Sequence, residues 1–133
     1  MADSLFWKDK AKLQLKDDLF SKTADDEAKK IAQQAGQKFN KYAQLRGFYD
    51  EAVKFRTQLL AKKDDKDYFE TKLPYIKMLN ARLAYAKGRD KISEYCQKFW
   101  AERINAISDY ADFTAFADFF EAFMAFYKQY KPK

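Results

Sequence analysis

Apolar residues along this chain recur every three or four positions, the period of an α-helix, and no stretch predicts a sheet. After Thr23, the apolar positions Ala28, Ile31, Ala32, Ala35 and Phe39 keep helical spacing. Asp25, Asp26 and Glu27 fill the first turn, where carboxylates complement the positive end of the helix dipole. The spacing predicts a helix from an N-cap at Thr23 to about Phe39, with Gly36 as a candidate break. A second helix is expected from about Asn40 to Lys63, on Leu45, Phe48, Tyr49, Ala52, Val53, Leu59 and Leu60. Gly47 costs that helix about 1 kcal/mol relative to alanine. A turn around Tyr68 and Phe69 is followed by Pro74, which suits the first turn of a third helix. That helix should end near Lys87, with Gly88 at C′. Asp90 is the expected cap of a fourth helix, built on Ile92, Tyr95, Cys96, Phe99, Trp100, Ile104 and Ile107. Asp109 or Asp112 caps the fifth. Leu13, Leu15 and Leu19 fit no single period, so residues 1–22 are expected as a flexible N-terminal arm. Residues 23–133 then form one domain. The predicted fold class is all-α, a single-domain bundle of about five helices.

The last helix, "DFTAFADFFEAFMAFYKQY", departs from simple amphipathicity. Phe113, Phe116, Phe120, Phe123, Tyr127 and Tyr130 share one face, while Phe119, Met124 and Phe126 fall on others. A helix apolar almost all round is central in its bundle or shared with another chain. Phe119, Met124 and Phe126 are therefore candidates for an interface with a copy of the chain or with another subunit. Glu121, set among these rings, is a candidate buried ion pair and calls for an arginine or lysine beside it.

Composition narrows the chemistry. Among 133 residues, 47% are hydrophobic and 35% charged, with only 3 Gly and 2 Pro, which favours helices over turns. Histidine is absent and Cys96 is the sole cysteine. Zinc sites of His and Cys within one chain, intrachain disulfides and Cys–His or Ser–His catalysis are thereby excluded. The three glycines are too scattered for a phosphate-binding loop, and no carboxylate cluster has EF-hand spacing. No catalytic residue, metal or cofactor is expected, and the chain does not read as an enzyme. The start lacks a signal-peptide core, and residues 113–127 are too short and too polar to span a bilayer. A cytoplasmic protein with no membrane partner is the expectation.

Charge is unevenly placed within the net +6. Residues 1–43 hold 9 Lys/Arg and 7 Asp/Glu, residues 44–91 hold 12 and 7, and residues 92–133 hold 5 and 6. The middle third thus carries a net +5, which argues for a local basic surface. The segment "LNARLAYAKGRDK" concentrates Arg82, Lys87, Arg89 and Lys91 around Tyr85. A helix C-terminus accounts for Lys87 and Arg89 through the dipole, but not for Arg82 one turn earlier. Arginines beside an aromatic are what phosphate contact with base or sugar stacking requires. The second helix adds Arg46, partly balanced by Asp50, and Lys54 and Arg56. These seven cations, Arg46, Lys54, Arg56, Arg82, Lys87, Arg89 and Lys91, are the candidate nucleic-acid-contacting residues. The rival reading is a helical protein–protein adaptor that self-associates through its aromatic last helix, its charge incidental.

Three pieces in order, "LRGFYDEAVKF" at 45–55, "LNARLAYAKGR" at 79–89 and "FFEAFMAFYKQY" at 119–130, resemble the small subunit of type III-A CRISPR effector complexes, the Csm complexes. The resemblance rests on Leu45, Arg46, Phe48 and Tyr49, on Leu83, Tyr85 and Arg89, and on Phe119, Glu121, Ala122, Ala125 and Phe126. It covers about residues 40–130. It implies an all-helical, non-catalytic subunit present in several copies that form an inner filament. Its implied partners are target RNA and guide RNA, other Csm subunits and copies of itself, in antiviral defence. Arg46 and Arg89 match the family's basic positions, and Arg82 falls where a basic residue is common. Lys54, Arg56, Lys87 and Lys91 are added from charge and position. Gly47 stands where the family often has lysine.

Overall fold

The computed structural model describes residues 3–34 and 38–131. A short helix α1 (Asp3–Phe6) leads into a small antiparallel ribbon of β1 (Trp7–Asp9) and β2 (Gln14–Leu15). Strands of three and two residues are too short to print an alternating pattern, which is why the ribbon was not expected. The arm contributes no long helix, and its described part is pinned to the bundle. Phe6 and Trp7 are buried, and Trp7 Nε1 donates to Asp112 Oδ1 at 2.9 Å. Lys10 Nζ lies 2.9 Å from Asp112 and 3.1 Å from Asp109.

A single π-turn over Leu19–Thr23 runs directly into α2 (Ala24–Ala32). Thr23 is itself helical (φ −62°, ψ −47°) and caps nothing, so the helical path begins earlier than the acidic first turn suggests. The helix α2 stops at Ala32, short of Phe39; the expected break at Gly36 lies outside the described residues. Helix α3 spans Tyr42–Leu60. The next helix, α4 (Lys66–Lys77), starts well before Pro74 because Asp65 is a strong N-cap, its carboxylate accepting Tyr68 N–H at 2.9 Å. Tyr68 and Phe69 are therefore helical rather than a turn, and Pro74 lies inside α4. Helix α5 (Leu79–Gly88) follows after Met78 alone, whose φ of −64° and ψ of −15° stay helical. The pair α4–α5 is one jointed rod, and with it the expected five helices are present. Ser93, not Asp90, caps α6 (Glu94–Asn105), with Oγ accepting Cys96 N–H at 3.2 Å. Asp109 caps α7 (Tyr110–Tyr130), accepting Asp112 N–H at 2.9 Å.

Helix α7 is the axis of the core, packed by α2 and α3 on its flanks. Trp100 of α6 stacks on Phe120 with centroids 4.0 Å apart and meets Phe116 and Phe123 edge-on. Such ring pairs add about 0.5–1.5 kcal/mol each beyond the area they bury. The surplus faces of α7 are used within the chain, which corrects the reading of Phe119 and Met124 as interface candidates. Phe119 is fully buried against Phe99 and Trp100, Met124 is buried in the same core, and Phe126 is half-buried. Cys96 lies in this core too, where burial pushes its thiol up to about 12. Among the described residues no helix is long and apolar enough to cross a membrane.

Candidate nucleic-acid interface

Two turns decide where the middle-third cations go. At the end of α5, Lys91 N–H donates to the Ala86 carbonyl at 2.9 Å and Asp90 N–H to the Lys87 carbonyl at 3.0 Å. This is the Schellman pattern, with Asp90 at C′ in the left-handed region (φ 59°). Gly88, expected at C′, sits instead in the last turn of α5. The motif folds Arg89 and Lys91 back beside the helix rather than letting the chain run on.

The second turn is built on Asn40, which is fully buried and also left-handed (φ 60°), a conformation asparagine tolerates better than most residues. Its backbone N–H donates to the Lys91 carbonyl at 2.9 Å. Its Nδ2 donates to the Ile31 carbonyl at 3.2 Å and to Ser93 Oγ at 3.1 Å, while Oδ1 accepts Ser93 N–H at 2.9 Å. Its carbonyl accepts the Tyr127 hydroxyl. Asn40 thereby clamps the segment before α3 to the segment after α5. Lys38 and Lys41 on one side are brought to Arg89 and Lys91 on the other.

The result is a pair of adjoining hollows. The first, about 670 Å³, lies between α3 and α5; Gly47, Met78, Ala81 and Tyr85 supply its apolar lining, and Arg82 and Arg89 flank it. The second, about 980 Å³, is lined by Lys38, Lys41, Arg89 and Lys91, with Asp90 at its edge. Arg89 and Lys91 border both. Arg89 Nη1 donates to the Tyr85 hydroxyl at 3.2 Å, and its guanidinium lies 5.7 Å from the ring centroid. Among the described residues, Lys38, Lys41, Arg89 and Lys91 form no ion pair with a carboxylate, whereas Arg82 lies 3.6 Å from Glu51. Lys131 closes the floor nearby, its ammonium donating to the Ala32 and Phe39 carbonyls at 3.0 Å. Burial, and then the charge of Lys41, lower its pKa.

Of the seven expected cations, Arg82, Arg89 and Lys91 converge on this face. Lys54 sits at its margin, sharing Glu51 with Arg82 through a 3.1 Å ion pair. Arg46 does not join them. At about 100° per residue it points roughly a third of a turn away from the groove-facing row of Ala43, Gly47 and Glu51. It bonds Asp50 at 3.0 Å and the Tyr42 hydroxyl at 3.3 Å. Lys87 projects toward α6, where Lys98 chiefly, and Lys87 in part, hold Glu94 below the ordinary carboxylate range. Arg56 belongs to the bundle, donating to Glu121 at 2.9 Å, Asp118 at 3.3 Å and the Tyr49 hydroxyl at 3.4 Å. Glu121 has the arginine partner expected of it, but the pair is not buried: the Glu121 side chain is 61% exposed. Lys38 and Lys41 escaped the sequence reading. The signal was their placement on either side of Asn40, in a third of the chain whose net charge looked unremarkable.

Fold and surface together define the class: a small all-α bundle with one face made cationic by two clamped turns. Comparison with known families makes this specific. The model of the Csm2 Type III-A family matches residues 19–133, and the chain belongs to that family. It is a small subunit of a type III-A CRISPR complex, which implies association with the other subunits of that complex. The match extends to Leu19, well before the residues at which the resemblance became visible. No curated protein and no solved structure matches.

Proposed function

We propose that this subunit is a non-catalytic RNA-binding component of its complex, contacting the sugar–phosphate backbone of target and guide RNA through Arg82, Arg89, Lys91, Lys38 and Lys41. Copies of it line up as an inner filament beside the subunits that hold the guide. The observation that carries the reading is the convergence of these cations on one solvent-facing strip, most of them without a carboxylate partner. Unpaired cations at a surface are poor stabilisers of a fold but are ready to replace the counterions of a polyphosphate. Backbone contact carries no sequence information, which suits a subunit that must accept any target its guide specifies.

Binding to unstructured RNA should weaken with salt, with a slope of about −0.7 per phosphate contacted. Changing Arg82, Arg89 and Lys91 together to glutamate should abolish binding in fluorescence anisotropy while helical circular dichroism is retained. Arg46→Glu, made at an equally exposed arginine outside the strip, should weaken binding far less. A folded triple variant that binds as the parent does would overturn the proposal.

A further inference from the structure

The groove between α3 and α5 has a property that phosphate contact does not require: it is apolar. Met78 and Tyr85, which line it, are 52% and 67% exposed, large apolar surface left in water beside Ala81 and Ala86. Opposite Tyr85 stands Gly47, in the interior of α3. A Cβ at Gly47 would meet nothing within 4 Å, so no packing inside the chain calls for glycine there. Glycine in a helix interior is unfavourable, and here its effect is to keep bare backbone on the groove wall. Tyr85 is held by the Arg89 guanidinium against its hydroxyl and ring. A flat apolar slot with a positioned aromatic, opening into a hollow of lysines, fits an occupant that is planar and apolar at one end and anionic at the other.

We infer that the two hollows divide a nucleotide unit between them: an unpaired base enters the α3–α5 groove face-on to Tyr85, and its flanking phosphates lie among Lys38, Lys41, Arg89 and Lys91. This rests on the proposal that the strip binds RNA and adds which part of the RNA it reads. Stacking on an aromatic face is sequence-tolerant because every base has a π-face, so the groove distinguishes unpaired from paired nucleotides without choosing among the bases. The cationic rim argues against an apolar partner helix as the occupant.

The test uses the purified chain and two labelled oligonucleotides of equal length and charge, an oligouridylate and its abasic counterpart, followed by anisotropy. The parent should bind the base-bearing strand about five- to 150-fold more tightly, the range that one stacked base contributes. Gly47→Leu should erase that preference while leaving abasic binding and its salt slope unchanged; Tyr85→Ala should erase the preference, read as the ratio of the two strands' affinities. Leucine is a better helix former than glycine, so folding of the Gly47→Leu variant is not at issue. Equal binding of the two strands by the parent would overturn the inference and leave the backbone proposal standing. A preference that survives Gly47→Leu or Tyr85→Ala would also overturn it, placing the base elsewhere. Failure of both strands to bind would overturn the backbone proposal and this inference with it.

Discussion

The aromatic core around α7 and the cationic face between α3 and α5 are built on opposite terms. In the core, each large ring finds another ring: Trp100 meets Phe116, Phe119, Phe120 and Phe123, and Phe123 stacks on Tyr127 at 5.0 Å. Attraction there is short-ranged and satisfied inside the chain. On the face, like charges are gathered against their own repulsion, held by backbone turns rather than by each other. The core is determined by what its residues are, whereas the face is determined by where Asn40 and Asp90 bend the chain. A bundle with this core would be stable without the face. The face has no such self-sufficiency, which is why a ligand is the natural account of it.

That contrast can be broken or sharpened experimentally. The largest expected effect is Trp100→Ala, which empties the centre of the ring cluster and should cost about 3–5 kcal/mol in urea denaturation. Its folded fraction should bind RNA with unchanged affinity; weakened binding by that fraction would show that the face depends on the core. Asn40→Ala comes next. It leaves Ser93 N–H without its acceptor, removes one of the donors to the Ile31 carbonyl and places alanine in a left-handed conformation, so a loss of about 2–3 kcal/mol is expected. It should also weaken RNA binding although no cation is removed. Parental affinity in this variant would mean that the lysines find their places without the clamp.

A third prediction concerns acid. Burial works to raise the Asp112 pKa, but hydrogen bonds from Lys10, Ser108 and Trp7 outweigh it and hold the carboxyl below its ordinary value of 3.8. A carboxyl depressed in the folded state contributes stability that is complete above the unfolded pKa and lost as pH falls through the folded one. The parent should therefore lose stability below about pH 4, and Asp112→Asn should lack that part of the acid slope while being less stable at neutral pH. An identical acid limb in both proteins would remove Asp112 from the account. The smallest effect expected is that of Asp90→Asn. Asparagine tolerates the left-handed C′ position, so stability should hardly move, while RNA binding tightens by at most about fivefold, the scale of one screened charge at close range.

Much of the architecture was legible because helical periodicity and capping act over a few residues. The aromatic spacing of α7 and its cap at Asp109 are local facts, and both appear where expected. The misreadings have one physical origin, competition between signals that are each locally adequate. Pro74 suits a first turn, yet Asp65 supplies a better start upstream. Gly88 suits C′, yet Asp90 occupies it. The cationic face was half legible: Arg82, Arg89 and Lys91 lie on one short helix and the turn that ends it, so their meeting is local. Lys38 and Lys41 reach them only through Asn40, about fifty residues away in sequence, and no charge count along the chain reveals that. Arg56 was taken for a surface cation because its carboxylates lie on α7, more than sixty positions on.

The burial of Cys96 has a practical consequence. With the native thiol sealed among rings and its ionisation suppressed, alkylating dyes should leave the folded chain unmarked. A reporter group can then be installed at one chosen spot, by Ala81→Cys on the groove wall for instance, without first deleting anything. Light emitted from that spot would record arrivals and departures at the groove as they happen.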